Sequence, residues 1–197
     1  MFAFNQSPCE GHYRRAIHVL RYLHSSPGVG CVYDASVVEL VVYSDAAFSV
    51  FHNGLSSSAN LFCIGSLNAP FAATARAQTD MATCPMTAEY YAAGEASKSL
   101  VFYRRLSASL GWPFSTPTPF VVDNKTMIRL TEAPQVSAKM RHIEHRHHYI
   151  RHLHEHQFLS LQHVPAAQMR ANLLTKILAR SQFLRERAAL FNSESLL

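Results

Sequence analysis

The sequence predicts an α/β protein whose five strands form a mixed sheet with helices packed on it. Three strand-like segments follow one another in the first half of the chain, and helical patterns alternate with strands in the second half. Consecutive strands usually pair antiparallel, whereas strands joined through a helix pair in parallel, so both kinds of pairing are expected. The 197 residues are 48% hydrophobic and 16% charged, which is typical of a chain that buries a core.

The first half is predicted to hold a helix and three strands. Apolar residues at helical spacing and the terminating run Ser25-Ser26-Pro27-Gly28 indicate the helix. Ser66-Leu67-Asn68 separates the last two strands and indicates a hairpin. The predicted ranges are 11–24 for the helix and 37–45, 60–65 and 69–75 for the strands.

The second half is predicted to begin with a long alanine-rich helix over 86–110, bounded by Pro85 and by Gly111-Trp112-Pro113. Strands and helices alternate after it. Their predicted ranges are 119–123 and 158–164 for the strands, and 124–131, 138–157, 166–178 and 181–191 for the helices.

The net charge of +5 is concentrated in residues 138–187, which hold nine lysine and arginine residues against three acids. Eight of the twelve histidines lie in the same segment. A basic block on an otherwise balanced chain predicts a polyanion partner, most often a nucleic acid. A solvated basic helix face would give the same charge pattern and stays open at this point.

The four cysteines are scattered without a CxxC pair, which argues against a disulfide scaffold or a thiolate zinc site and suits a reducing compartment. No apolar run reaches membrane-spanning length, so no membrane partner is expected. The first residues lack the pattern of a secretory signal. We therefore expect a protein that is not secreted and acts in the cytoplasm, in an intracellular particle or in the nucleus.

Three acidic residues occupy positions where a shared site can form. Asp45 and Asp123 end apolar strands, and Glu89 lies near the start of the long helix. Each alone is more simply a turn, cap or helix-dipole residue. Together, at the carboxyl ends of strands in an α/β sheet, they predict a divalent-cation site, because crowded carboxylates need a compensating cation. Mg²⁺ prefers such oxygen ligands, and two ions about 3.5–4 Å apart could serve phosphodiester hydrolysis.

Several short motifs stand in a fixed order along most of the chain. They are His12-Tyr13, Tyr43-Ser44-Asp45-Ala46, Ala88-Glu89-Tyr90, Val122-Asp123-Asn124, Arg141-His142-Ile143-Glu144, His163-Val164-Pro165 and Ala171-Asn172-Leu173-Leu174-Thr175-Lys176. In this order the chain resembles the ribonuclease H domain of copia-type LTR retrotransposon polyproteins, preceded by the tail of the reverse transcriptase.

The resemblance implies an RNase H-like fold with a five-stranded mixed sheet, helices on both faces and an N-terminal helix. It divides the chain into a reverse transcriptase tail over 1–30, the RNase H-like domain over 31–178, and a C-terminal helix and tail over 179–197. It implies hydrolysis of the RNA strand of RNA–DNA hybrids by a two-metal mechanism. The implied partners are the hybrid and the remainder of a reverse transcriptase polyprotein.

The resemblance also assigns site residues. Asp45, Glu89 and Asp123 would bind two Mg²⁺ ions, or Mn²⁺. The family has a fourth carboxylate where this chain has Asn172, so that position is expected to be a weakened ligand. His163, near the end of the last strand, is a catalytic candidate without an assigned role.

Basic side chains of the segment 138–187 are predicted to contact phosphates of the nucleic acid. The candidates are Arg141, His142, Arg146, His148, Arg151 and Lys176. Histidines at 145, 148, 152 and 156 would line one helical face about 16 Å long, which is too long for one zinc ion. An exposed, weakly basic face is the simpler interpretation.

Two other functions are weighed against the nuclease. A decayed remnant would keep the fold and bind nucleic acid, or serve only as structure, without cutting. A Ser/His hydrolase is disfavoured because the sequence contains no GxSxG motif.

Overall fold

The structure is a computed structural model that describes residues 7–34, 38–133 and 148–191. The chain divides into two compact units, Met1–Gly30 and Cys31–Leu197. The first unit contains helix α1 (Glu10–Ser25), which begins after Cys9 and buries no residue. Its apolar side chains, among them Leu20 and Leu23, are about three-fifths exposed at 59% and 60%. The predicted N-terminal helix is therefore present, with its apolar side chains largely in solvent.

The second unit is built on a five-stranded mixed sheet, as predicted. Its strands are β1 (Leu40–Ala47), β2 (Ser57–Ile64), β3 (Ala69–Ala77), β4 (Thr118–Val122) and β5 (Leu159–His163). The order across the sheet is β3-β2-β1-β4-β5. The first three strands pair antiparallel, and β4 pairs in parallel with both β1 and β5. This arrangement places the carboxyl ends of β1, β4 and β5 along one edge of the sheet.

The predicted hairpin is confirmed between β2 and β3. The turn closes with the N–H of Asn68 donating to the carbonyl of Gly65 over 3.0 Å. Gly65 and Asn68 both adopt positive φ, at 81° and 50°, which these residue types tolerate best.

Helices cover both faces of the sheet, as predicted. They are α2 (Pro85–Ser109), α3 (Lys125–Glu132), α4 (Tyr149–Glu155), α5 (Asn172–Thr175) and α6 (Arg180–Phe191). One core joins α2, α3 and α4 to inward residues such as Val42 and Phe120. A second core, on the other face of the sheet, joins the chain around α5 and α6 to strand residues that point to that face, such as Tyr43 and Leu61. Side chains of a strand alternate between faces, so neighbouring residues of β1 serve different cores.

The helix predicted over 166–178 is interrupted, which corrects that prediction. A 3₁₀ turn (Ala166–Gln168) is followed by extended backbone at Met169, with φ −75° and ψ 102°, before α5 begins. Met169 and Ala171 are fully buried in the second core. The side chain of Asn172 donates to the carbonyl of Ala166 over 2.5 Å, where a continuous helix would use the backbone. Burial of these two side chains therefore outweighs helical continuity.

The helix predicted over 138–157 is described only from its C-terminal part, α4, because residues 134–147 lie outside the described residues. In the parts of the chain that the structure describes, no helix combines the length and hydropathy needed to span a membrane.

Candidate metal centre

Three elements bring the predicted acidic residues to one edge of the sheet. The last residues of β1 that pair with β4 are Val42 and Tyr43, so Asp45 lies just beyond the shared ladder. Asp123 follows directly after β4. Glu89 lies one turn into α2, which packs across β1. One carboxylate oxygen from each residue lies within 4.8 Å of the other two. This is the shared position that the sequence predicted for them.

The negative charges of this cluster repel one another, and the carboxylates are largely removed from solvent. The side chain of Asp45 is 1% exposed. Burial raises the pKa of Asp45, and the hydrogen bond from Thr175 and the ammonium of Lys176 oppose that effect. Burial, and then the charges of Asp45 and Asp123, raise the pKa of Glu89 to about 9. The cluster therefore holds a proton at neutral pH unless a cation compensates its charge.

Two buried oxygens of the cluster have no hydrogen-bond partner among the described residues. They are Asp45 Oδ1 and Glu89 Oε2. A buried carboxylate oxygen without a partner is costly, so each needs a proton, a water or a cation. Carboxylate oxygens are the donors that Mg²⁺ and Mn²⁺ prefer. The donor set of Asp45, Glu89 and Asp123 could thus hold a divalent hard cation.

The other oxygen of Asp45 contacts the chain around α5. The hydroxyl of Thr175 donates to Asp45 Oδ2, and the ammonium of Lys176 lies 3.7 Å from the same oxygen. Sequence reasoning missed Thr175 as a site residue. The motif Ala171-Asn172-Leu173-Leu174-Thr175-Lys176 pointed to it, because the same motif contains Asn172, the predicted fourth ligand.

The side chain of Asn172 is linked to Asp45 through the ammonium of Lys176. Its amide oxygen accepts a hydrogen bond from the ammonium of Lys176, and its amide nitrogen donates to the carbonyl of Ala166. The residue is 7% exposed. The structure therefore places Asn172 beside the cluster with both ends of its amide already bonded.

His163 lies on the same edge of the sheet. It is the last residue of β5 and is the parallel partner of Val122, the residue before Asp123. Its side chain is exposed to solvent. A catalytic role for His163 stays a prediction.

The residues predicted to contact nucleic acid lie in different surroundings. Arg141, His142 and Arg146 lie outside the described residues. The ring of His148 shares a hydrogen bond of 2.9 Å with the hydroxyl of Tyr90 and is half-buried. Lys176 lies at the acidic cluster, with 44% of its side chain exposed.

The structure corrects the prediction that Arg151 contacts a phosphate of the nucleic acid. Its side chain is only 9% exposed, its Nε donates to Glu155 over 3.0 Å, and its guanidinium also donates to the carbonyls of Leu130 and Ala133. These bonds tie α4 to the end of α3. A buried guanidinium that donates three hydrogen bonds within the chain is a packing residue and does not face a phosphate.

Part of the predicted histidine face is visible on α4. His152 and His156 are exposed, with ring centroids 4.2 Å apart, and His145 lies outside the described residues. Among the described residues, the group of three or more histidine, cysteine or acidic side chains close enough to hold a metal is Asp45, Glu89 and Asp123.

Sequence comparison relates the chain to retrotransposon polyproteins. It is 26% identical over 181 residues to the retrovirus-related Pol polyprotein from transposon TNT 1-94 of Nicotiana tabacum, covering 91% of this chain and 13% of that one. It is 26% identical to the corresponding polyprotein from transposon RE1 of Arabidopsis thaliana, covering 91% of this chain and 12% of that one. No protein-family model matches. The predicted resemblance to copia-type polyproteins is confirmed, and the chain spans about an eighth of their length.

Structural comparison confirms the predicted fold. The described fold is similar to LC11-RNase H1, solved in complex with an RNA/DNA hybrid, with a TM-score of 0.51 and 15% sequence identity. The match covers 69% of this chain and 93% of that one. The second unit therefore has an RNase H fold.

Proposed function

We propose that this chain hydrolyses the RNA strand of RNA–DNA hybrids, as the ribonuclease H part of a retrotransposon Pol polyprotein. The observation that carries the proposal is the convergence of Asp45, Glu89 and Asp123, two of whose buried oxygens have no hydrogen-bond partner in the described part of the chain. The site lies where α/β sheets place their sites, beyond the carboxyl ends of strands. The similarity to an RNase H1 solved with an RNA/DNA hybrid supports the substrate class.

The proposed cofactor is Mg²⁺ or Mn²⁺, as two ions during cleavage. Bound ions of this kind activate a water and stabilise the leaving oxygen of a phosphodiester. Asp45, Glu89 and Asp123 would hold the metal through their oxygens. Glu89 must release its proton to do so, so metal affinity should rise with pH. Thr175 orients Asp45 by donating to Oδ2, which leaves Oδ1 for the metal.

Substrate recognition is proposed to depend on shape and charge. A hybrid differs from double-stranded DNA in its width and in the 2′-hydroxyls of its RNA strand. Phosphate contacts position such a duplex without reading its bases. The net +6 charge of residues 138–187 supports this interaction, and contacts by Arg141, His142 and Arg146 stay part of the proposal.

The partner within the polyprotein is proposed to be the reverse transcriptase. The relatives are Pol polyproteins, of which this chain matches about an eighth. Helix α1 carries exposed apolar side chains that include Tyr13, Leu20 and Leu23. In a longer chain such a helix face would pack against neighbouring protein. We also propose that the protein acts inside the cell, in the cytoplasm, in an intracellular particle or in the nucleus.

Cleavage of defined duplexes tests the activity. Purified protein would be incubated with an RNA–DNA hybrid labelled on either strand, in Mg²⁺ or Mn²⁺, beside double-stranded RNA and double-stranded DNA. Cleavage of the RNA strand of the hybrid alone, lost in the Asp45→Asn variant, is the expected result. Cutting of the DNA strand, or activity that survives in Asp45→Asn, would contradict the proposed site.

A second candidate function is a remnant that binds the hybrid without cutting it. The specific observation in its favour is the neutral Asn172 at the fourth ligand position, with its amide oxygen bonded to Lys176. Retained binding of the hybrid, with no product at any Mg²⁺ or Mn²⁺ concentration, would favour this candidate over the nuclease.

A further inference from the structure

The two carboxylate oxygens of Asp45 have different surroundings. Its Oδ1 is buried on the side of the metal cluster and has no hydrogen-bond partner among the described residues. Its Oδ2 accepts a hydrogen bond from Thr175 and lies 3.7 Å from the ammonium of Lys176. One oxygen is therefore free for a cation from solvent, and the other already faces a cation that belongs to the chain.

The same ammonium engages the fourth ligand position. Lys176 donates to the amide oxygen of Asn172, and the amide nitrogen of Asn172 donates to Ala166. This second bond fixes the orientation of the amide, so its oxygen cannot turn elsewhere without loss. A metal ion bound to the oxygen of Asn172 would lie against the ammonium of Lys176, and the two positive charges would repel each other.

Charge counting points in the same direction. Three ionised carboxylates carry three negative charges, and the ammonium of Lys176 reduces the local sum to two. One divalent ion balances that sum. A second divalent ion on the Asn172 side would lie against the ammonium in a weakly screened site, where like charges repel strongly.

We propose that Lys176 is a built-in cation that takes the place of the second divalent ion on the Asn172 side of Asp45. The inference rests on the proposed function, since it concerns the same metal cluster. Without substrate the protein binds one divalent ion, through Asp45 Oδ1, Glu89 and Asp123. The second ion enters only when the half-exposed side chain of Lys176 leaves Asn172 and Asp45. Lys176 thus acts as a positioning residue for metal occupancy.

Direct metal binding tests this inference without any measurement of cleavage. The number and affinity of bound Mn²⁺ ions would be measured by calorimetry and by the electron paramagnetic resonance signal, on protein without nucleic acid. The variants are Lys176→Gln, which removes the charge, and Lys176→Arg, which keeps it. Lys98→Gln is the matched control, because Lys98 pairs with Glu95 on α2 and does not contact the cluster. Circular dichroism melts verify that each variant folds.

Wild type, Lys176→Arg and Lys98→Gln are each expected to bind one Mn²⁺ ion per chain. Lys176→Gln is expected to bind a second ion, or to bind the first at least about tenfold more tightly, because one positive charge has left the site. Two ions bound by the wild type, or Lys176→Gln indistinguishable from it, would overturn the inference and leave the metal site intact. Absence of Mn²⁺ binding in every variant would overturn the inference together with the proposed metal centre.

Discussion

The two edges of the sheet both hold charged groups, a half-buried guanidinium at one and buried carboxylates at the other, and their surroundings differ. At the edge where β4 and β5 begin, the guanidinium of Arg104 donates to the carbonyls of Phe114, Thr116 and Phe158 and lies 4.4 Å from the ring centroid of Phe158. At the opposite edge, Asp45 and Glu89 each retain a buried oxygen for which the described ranges of the chain supply no hydrogen-bond partner. The fold completes the surroundings of Arg104 by itself and leaves the acidic cluster to be completed by a ligand. The two edges thus differ in how fully the chain satisfies their charged groups, and the less satisfied edge is the candidate metal centre.

The largest expected effect is on cleavage and comes from Glu89→Gln. Removing a ligand should lower hybrid cleavage by more than about 100-fold, since even residues behind metal ligands account for about 10–100-fold. The same variant should stabilise the metal-free protein at neutral pH. Glu89 must take up a proton when the chain folds, which costs free energy at pH 7, whereas glutamine is neutral in both states. Steady-state cleavage and denaturant melts measure the two effects. Glu95→Gln replaces a half-exposed acid on the same helix; it is the control and should change neither.

Arg104→Gln should have the opposite effect on stability. Its loss leaves three backbone carbonyls with weaker donors, so the free energy of unfolding should fall by about 2–4 kcal/mol. Cleavage by the folded fraction should persist, because Arg104 lies at the far edge of the sheet. Urea denaturation against Arg105→Gln, its exposed neighbour on α2, isolates the effect. Equal stability of the two variants would show that the Arg104 contacts contribute nothing beyond a surface charge.

Stability of the metal-free protein should fall as pH rises. Folding raises the pKa of Glu89 from its ordinary 4.5 to about 9. Between these values the folded state holds a proton that the unfolded state has lost, so each pH unit lowers the free energy of unfolding by up to about 1.4 kcal/mol. Melts from pH 5 to 9 in a chelator should show this slope, and excess Mg²⁺ should reduce it. The slope should also be smaller in Glu89→Gln, and an unchanged slope there would assign the titration to another group.

Much of this arrangement could be predicted from local sequence patterns. The strand pattern of Val41–Asp45, the turn at Ser66-Leu67-Asn68 and the helix boundary at Pro85 each report a physical preference of nearby residues. The meeting of Asp45, Glu89 and Asp123 also follows, because strand ends and a helix start converge in this topology.

The remaining features depend on tertiary packing. Helical periodicity over 166–178 does not reveal that Met169 and Ala171 fill the second core and break the helix. Positive charge at Arg151 predicts a surface contact, whereas carbonyls at the end of α3 draw its guanidinium inward. The bond between Lys176 and Asn172 joins residues four apart, a spacing that places side chains together, but sequence does not show that Asp45 lies beside them.

The smallest expected effect belongs to Asn172→Asp, which tests the acidic edge at its neutral position. The new carboxylate restores a fourth negative charge, so Mg²⁺ affinity and cleavage should rise by up to about tenfold, because hard-cation affinity follows ligand charge. The gain should be greatest at low Mg²⁺ and vanish near saturation. Lys176 lies within reach of the new carboxylate and should neutralise part of it, so the same substitution should gain more in a Lys176→Gln background. Cleavage measured over a Mg²⁺ series for the four proteins of this double-mutant cycle gives the coupling directly.

Equal activity of Asn172→Asp and wild type at low Mg²⁺ would show that position 172 does not influence the metal. Inactivity of all four proteins in both Mg²⁺ and Mn²⁺, with the hybrid still bound, would instead identify the chain as a remnant that retains the fold of a nuclease without its chemistry.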